Sequence, residues 1–383
     1  MFLSFARNAC LLIGLCAVAN TDSLIAYGAC KNHLQEPGIC IKLAECSYIL
    51  NMLTTNLTEE TRHFMNKSQC GHDSSQDSLA KRILVCCTER PHNRKGETVP
   101  GNILPKPGEC GTMLSNRILG GNTTEIDEFP WMALIQYKTA PDAFGFYCGG
   151  SLINSHYVLT AAHCIKNLNI PSHWELYAVR LGEWDLRQDP DCVVDTRGRR
   201  DCFDPYTDIR IDYAIVHPSY IPTSLYKFND IALIRLVDSV TRLTHFTPIC
   251  LPVAKSIRSK LFTNQVMEVA GWGATENGTN SPIKLKINQK VWNATRCKRT
   301  YHSHGMAINS NFQMCAGGEE GVDTCFGDSG GPLMVTERID DSNVYFVAGL
   351  VSYGPQPCGL SGWPGIYTRV GSYMDWIIAN LLP

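Results

Sequence analysis

GDSGGP, residues 327–332, sets a serine between an aspartate and two glycines late in a 383-residue chain. A serine among glycines is a turn, and glycine lets the backbone come close to whatever faces it. Its hydroxyl is a poor nucleophile until a base takes the proton. Two upstream stretches hold the missing partners: LTAAHC, residues 159–164, carries His163, and NDIAL, residues 229–233, carries Asp230. Taken singly, the histidine reads as structural, the aspartate as a cap and the serine as a turn. Taken together, a serine, a base and a carboxylate are the groups that acyl transfer by a serine nucleophile needs.

Around these stretches the chain is a series of short apolar runs, FPWMALIQY (129–137), YVLTAA (157–162), DIALIRL (230–236) and YFVAGLVSY (345–353), separated by Gly, Pro, Asn and Asp. Short strands with regular turn signals predict an all-β barrel or sandwich. SYMDWIIANLL (372–382) is the exception, with Met374, Trp376, Ile377, Ile378 and Leu381 at the spacing of one helical face. The length suits more than one domain. With 34 Lys+Arg against 36 Asp+Glu, no net positive field exists to attract nucleic acid or acidic lipid, and neither is expected as a partner.

The first residues place Arg7 before an apolar run from Ala9 to Ala19 that ends Ala-Val-Ala, the pattern of a secretory signal peptide over residues 1–19. The run is about half the ~20 residues a membrane span needs, and no other stretch qualifies. Of the 18 cysteines, Cys10 and Cys16 lie in this leader, leaving an even sixteen, as an oxidising compartment allows. Asn56, Asn66, Asn122, Asn277 and Asn293 open Asn-x-Ser/Thr triplets, candidate glycosylation sites. A secreted, extracellular chain follows.

Six cysteines, Cys30, Cys40, Cys46, Cys70, Cys86 and Cys87, crowd a segment too small to hold together by an apolar core alone, so three bridges are expected over residues 30–87. Disulfide geometry strains an adjacent pair, so Cys86 and Cys87 reach to different upstream partners. The histidines of the segment are not at zinc-ligand spacing. Residues 88–117, rich in Pro, Gly and charge, read as a linker and activation segment.

His163, Asp230 and Ser329 with their flanks, together with FPWMALI, CGGSLI (148–153), GWG (271–273) and PGIYTRV (364–370), make residues 118–383 resemble the trypsin-like serine proteases of the chymotrypsin fold. That resemblance implies two β-barrels with a C-terminal helix, preceded here by a small disulfide-rich domain. It implies His163 as general base, Asp230 as its orienting carboxylate, Ser329 as nucleophile, and the N–H groups of Gly327 and Ser329 as the oxyanion hole. It also puts Asp323 at the base of the primary pocket, with Gly354 and Gly365 as walls, and so implies cleavage after Arg or Lys. No catalytic cofactor is required.

NRILGG, residues 116–121, resembles the family's activation site, with Leu119 in place of the usual valine. Cutting between Arg117 and Ile118 would create an ammonium on Ile118 that buries against Asp328, so the uncut chain is a zymogen. By family pattern the pairs are Cys110 with Cys250, Cys148 with Cys164, Cys297 with Cys315 and Cys325 with Cys358; Cys192 and Cys202 remain to close a small loop. Relatives can bind calcium in the loop after Leu-Gly-Glu, which here offers Glu183, Asp185, Gln188 and Asp191. The adjacent TRGRR (196–200) reads as a solvated, nickable loop.

The six-cysteine segment resembles the clip domains of arthropod haemolymph proteases, which implies Cys30 with Cys86, Cys40 with Cys70 and Cys46 with Cys87. The whole chain is similar to the easter, Spätzle-processing and prophenoloxidase-activating group. This implies a place in an extracellular cascade of innate immunity (Toll signalling or melanization) or development. The implied partners are an upstream activating protease, a protein substrate that is a downstream zymogen or cytokine precursor, and a serpin-type inhibitor. A second reading keeps the same domains as a non-catalytic adaptor, and a third gives the clip module its own microbial-surface binding.

Overall fold

A computed structural model describes residues 24–46, 49, 59–72, 83–88, 103–113, 123–167, 170–171, 173–194, 197–240, 246–274, 279–320, 327–356 and 358–382. The expected signal peptide, Asn56, Asn122, Asn277, Arg117, Ile118, Asp323 and Cys325 lie outside these residues.

The N-terminal unit opens with β1 (Leu24–Ala26), followed by a four-stranded sheet of β2 (Ala29–Lys31), β3 (Pro37–Lys42), β4 (Gln69–His72) and β5 (Ile83–Cys87) in the order β2-β3-β5-β4. Helix α1 (Glu59–Lys67) precedes β4. Bonds Cys30–Cys86, Cys40–Cys70 and Cys46–Cys87 staple the sheet, with only a few side chains such as Ile39, Ile41 and Val85 buried beneath them.

The first barrel is built from β6 (Met132–Ala140), β7 (Ala143–Leu152), β8 (Tyr157–Thr160), β9 (Glu175–Leu181), β12 (Thr207–Val216) and β13 (Ala232–Leu236). Its neighbours run β12-β13-β8-β7-β6-β9, and β9 returns to pair with β12, so the sheet closes on itself. Closure removes the edges that an open sheet would expose. The predicted loop TRGRR belongs to a disulfide-tied hairpin, β10 (Cys192–Val194) and β11 (Arg200–Cys202), with Arg200 on a strand and all three arginines exposed.

The second barrel follows the order β15-β14-β17-β18-β19-β16, from β14 (Val266–Gly271), β15 (Leu285–Lys290), β16 (Gln313–Ala316), β17 (Pro332–Ile339), β18 (Ser342–Tyr353) and β19 (Gly365–Arg369). A bridge between Val291 and Ala316 draws its outer strands together. Helices α2 (Lys255–Arg258) and α3 (Ala294–His302) lie on its outside, with Cys297 of α3 bonded to Cys315. Fully buried Trp131 joins the two barrels: its indole N–H points at the Met334 Sδ sulfur 3.2 Å away, and its ring packs on Tyr345.

Two sequence expectations are altered. Residues 103–113, read as linker, are packed on the catalytic unit: Asn154 donates to Ile103 O at 3.0 Å, Gly111 N–H donates to Pro248 O at 2.8 Å, and Cys110 is bonded to Cys250. The C-terminal helix α4 (Met374–Asn380) buries Met374, Ile377 and Asn380, while Ile378 is 47% exposed. Met374 and Ile377 are the i, i+3 pair that faces inward, Leu381 is buried just past the helix end, and Ile378, at i+4, lies at the exposed margin of that stripe.

His217 packs between Tyr373 and Trp376 next to this helix, and burial pushes its pKa down from 6.5 to about 4. A depressed pKa means that the unfolded chain takes up this proton first, so the contribution is whole above 6.5 and is lost as pH falls toward 4. Thermal melts of wild type and His217→Phe across that window are expected to converge on acidification; parallel curves would exclude the histidine as the source.

Candidate active site

Strand β8 ends at Thr160, and the 3-10 turn Ala162–Cys164 lifts His163 from the end of the first barrel. Asp230, just before β13, meets it there: the backbone N–H of His163 donates to Oδ1 at 2.8 Å, and the ring Nδ1 lies 2.8 Å from Oδ2. Asp230 is 0% exposed. Burial works against its ionisation, yet attraction to His163 and hydrogen bonds from His163 and Ser352 outweigh it and hold the carboxyl below its ordinary range. An ionised carboxylate only accepts, so Nδ1 carries the proton and Nε2 is left as the basic nitrogen.

The second barrel gives the carboxylate one more partner and holds the backbone of the same residue. Ser352, on β18, donates its hydroxyl to Asp230 Oδ2, and Thr368, on β19, donates to the Asp230 carbonyl at 2.8 Å. Tyr373 donates to Asn229 Oδ1 at 3.1 Å. None of these three was singled out from sequence. The available signal was a lone hydroxyl in an apolar strand, Ser352 in YFVAGLVSY, which must find an acceptor once buried.

Ser329 sits in the turn before β17. Its carbonyl accepts from Gly149 N–H on β7 at 2.8 Å, and Cys164 Sγ, bonded to Cys148, lies 3.7 Å from the same oxygen. Gly330 has φ +79°, and a Cβ there would run into Gly149 O and Ala161 N. The serine turn is thus pressed against the end of β8, one step from His163. Cys148, His163 and Cys164 bring ligand-type atoms within 4.8 Å of one another, but both sulfurs are spent in the disulfide and offer no thiolate.

Gly327 has φ +103° and packs on Gly273. Between Gly327 and Ser329, Asp328 turns its carboxylate onto the GWG segment: Gly273 N–H donates to Oδ1 at 3.0 Å, and a Cβ on Gly271 or Gly273 would overlap the carboxylate. Both glycines are therefore required by the acid beside the serine. Gly354, after β18, and Gly365, opening β19, face each other, with an added Cβ at Gly354 only 3.8 Å from Gly365 Cα. Larger residues would close that gap. Cys358 is disulfide-bonded; its expected partner Cys325 is outside the described residues.

The four candidate calcium ligands divide in two. Asp185 is held by Arg187, with contacts of 2.6 and 2.7 Å, and Gln188 Nε2 reaches the same carboxylate at 3.5 Å, so this pair is turned to Arg187. Glu183 and Asp191 both line a cavity of about 110 Å³ that also includes Asp204 and Lys284. Burial raises both pKa values, and Asp191 adds repulsion at Glu183, although Arg180 donates to Glu183 at 3.1 Å. Two desolvated carboxylates side by side suit a hard cation. Asn66 on α1 and Asn293, the N-cap of α3, are exposed.

The trypsin family model matches residues 118–377, and the model of the regulatory CLIP domain of proteinases matches residues 30–87. The chain is 44% identical to serine protease ea of Drosophila melanogaster over 386 residues, covering 96% of this chain and 97% of that protein. It is 44% identical to the Spaetzle-processing enzyme of the same organism, covering 94% and 93%, and 38% identical to phenoloxidase-activating factor 1 of Holotrichia diomphalia, covering 96% and 97%. Among solved structures, the Drosophila Grass clip serine protease of the Toll pathway aligns with TM-score 0.61 at 29% identity, covering 93% of this chain and 97% of that one.

Gly273→Ala is expected to displace Asp328 and slow the reaction of Ser329 with a serine-directed covalent inhibitor by about tenfold or more, roughly 1.4 kcal/mol in the barrier. An unchanged rate would mean that the carboxylate can step aside without disturbing the turn.

Proposed function

The chain belongs to the trypsin family of serine proteases with a regulatory CLIP domain, and we propose that it is a catalytically active, secreted zymogen that cuts other proteins after Arg or Lys. The observation that carries this reading is the buried Asp230 carboxylate, held from both barrels and bonded to His163 Nδ1. An adaptor that only binds partners has no use for an imidazole oriented by a desolvated charge, so the non-catalytic alternative is the weaker one.

In this reading His163 Nε2 takes the Ser329 hydroxyl proton as the oxygen attacks the scissile carbonyl, then returns it to the leaving amine. Gly327 and Ser329 N–H groups receive the developing oxyanion. By resemblance Asp323 pairs with the cationic side chain before the cut bond, for which the facing Gly354 and Gly365 leave room. Cleavage after Arg117 frees the Ile118 ammonium for Asp328, whose carboxylate already rests on the GWG segment. A bond between Cys110 and Cys250 keeps the light chain attached afterwards.

The names of the relatives favour an extracellular Toll or melanization cascade, or a developmental one; in this reading an upstream protease is the activator, a zymogen or cytokine precursor the substrate and a serpin-type inhibitor the brake. No helix among the described residues is long and apolar enough to cross a membrane, in keeping with the extracellular location that the N-terminal signal pattern and the disulfides suggest. Catalysis needs no cofactor. A structural calcium ion belongs to this reading at Glu183 and Asp191, where it would offset two buried charges, with Asp185 left to Arg187.

The Arg117-cleaved chain is expected to hydrolyse an arginyl amide, with Ser329→Ala at least about a thousandfold slower and Arg117→Gln inactive after the same activating treatment. No turnover by the cleaved wild type would favour the adaptor. Millimolar calcium is expected to raise the melting temperature of wild type but not of Glu183→Gln; equal melting temperatures with and without calcium in both would remove the ion from the account.

A further inference from the structure

Residues 24–29 precede the first cysteine of the CLIP domain and are held by none of its disulfides, yet they touch three separate parts of the molecule. Strand β12 has β13 along one flank; on the other, β9 pairs only with Thr207–Arg210. Beyond a bulge between Ile211 and Tyr213, that flank is taken over by β1, parallel, in the register Leu24 with Tyr213, Ile25 with Ala214 and Ala26 with Ile215. Tyr213, Ala214 and Ile215 are 1%, 0% and 0% exposed, so without β1 their backbone groups on this flank would have no ladder partner.

The next residues grip the CLIP sheet and the C-terminus. Tyr27 N–H donates to Cys40 O at 2.7 Å, and Gly28 O accepts from Cys40 N–H at 2.8 Å. Ala29 N–H donates at 2.7 Å to Oδ1 of buried Asn380, whose amide is fixed in turn by Trp376 O. Gly28 has φ +130°, and its backbone passes so close that an added Cβ would stand 3.0 Å from Asn380 Oδ1. Ile39, Ile41, Ile49 and Val85 of the CLIP domain share one apolar cluster with Ile377 and Leu381.

We propose that residues 24–29 are a strap that docks the CLIP domain on the flank of the first barrel by strand addition, independently of the Cys110–Cys250 bond. The activated enzyme then carries its CLIP domain in a fixed position rather than on a tether. For the cleaved form this rests on the activation reading; for the uncut chain it does not.

Amide hydrogen exchange on the full chain, uncut and Arg117-cleaved, tests it. Prolines at both Leu24 and Ile25 are used because alternate N–H groups of a strand face its neighbour; Asn380→Ala is the second variant. Each is expected to speed exchange at 213–215 about tenfold or more, with 232–235 on β13 unchanged as the folding control. In the cleaved Cys110→Ser, Cys250→Ser chain the CLIP domain is expected to co-elute with the catalytic domain, and to separate once the prolines are added. Wild-type exchange rates at 213–215 in the strap variants, or loss of the CLIP domain on removing the disulfide alone, would overturn the proposal. If Arg117 is not cut, the activation reading fails while the uncut exchange comparison still decides the strap.

Discussion

A carboxylate with no exposure to water needs partners on every side, and Asp230 draws them from both halves of the catalytic unit. The first barrel supplies His163 twice, through its backbone and its ring; the second supplies Ser352 to the carboxylate and Thr368 to the backbone carbonyl of the same residue. Breaking a buried charged pair by removing one partner typically costs about 3–5 kcal/mol. The two barrels are thus tied to a common geometry at the position where the histidine must be aimed. Trp131, seated against Met334 and Tyr345, fixes the same seam by packing.

Around that seam, small residues are set by contact more than by turn propensity. Gly271 and Gly273 make room for the Asp328 carboxylate, Gly327 for Gly273, and Gly330 for the end of β8. The acid next to the serine and the segment it rests on are therefore one unit. Moving the carboxylate would move the turn that presents Ser329, which is the physical link that the proposed activation by an Ile118 ammonium relies on.

The segments ahead of the catalytic unit are also part of its packing. Residues 103–113 lie along it through Asn154, Pro248 and the Cys110–Cys250 bond, and β1 completes the flank of β12 that β9 leaves. Composition pointed to a linker at residues 88–117, because proline, glycine and charge are common in linkers. They are equally compatible with an irregular strand held by side-chain amides and a disulfide.

An all-β barrel or sandwich was legible from evenly spaced apolar runs, which are local properties, while the two-barrel arrangement and the roles of His163, Asp230 and Ser329 came from the resemblance of ordered motifs. Ser352, Thr368 and Asn380 were not legible, because a polar residue in an apolar run becomes informative only when the acceptor or donor it meets is known, and those lie more than a hundred residues away. The loop after Leu-Gly-Glu shows the same limit: sequence offered four oxygen-bearing side chains, and while Arg187 takes Asp185 locally, only the folded chain brings Glu183 and Asp191 into one cavity with Phe246 and Lys284. Local order specifies which groups are available; only tertiary contact specifies which of them remain free to act.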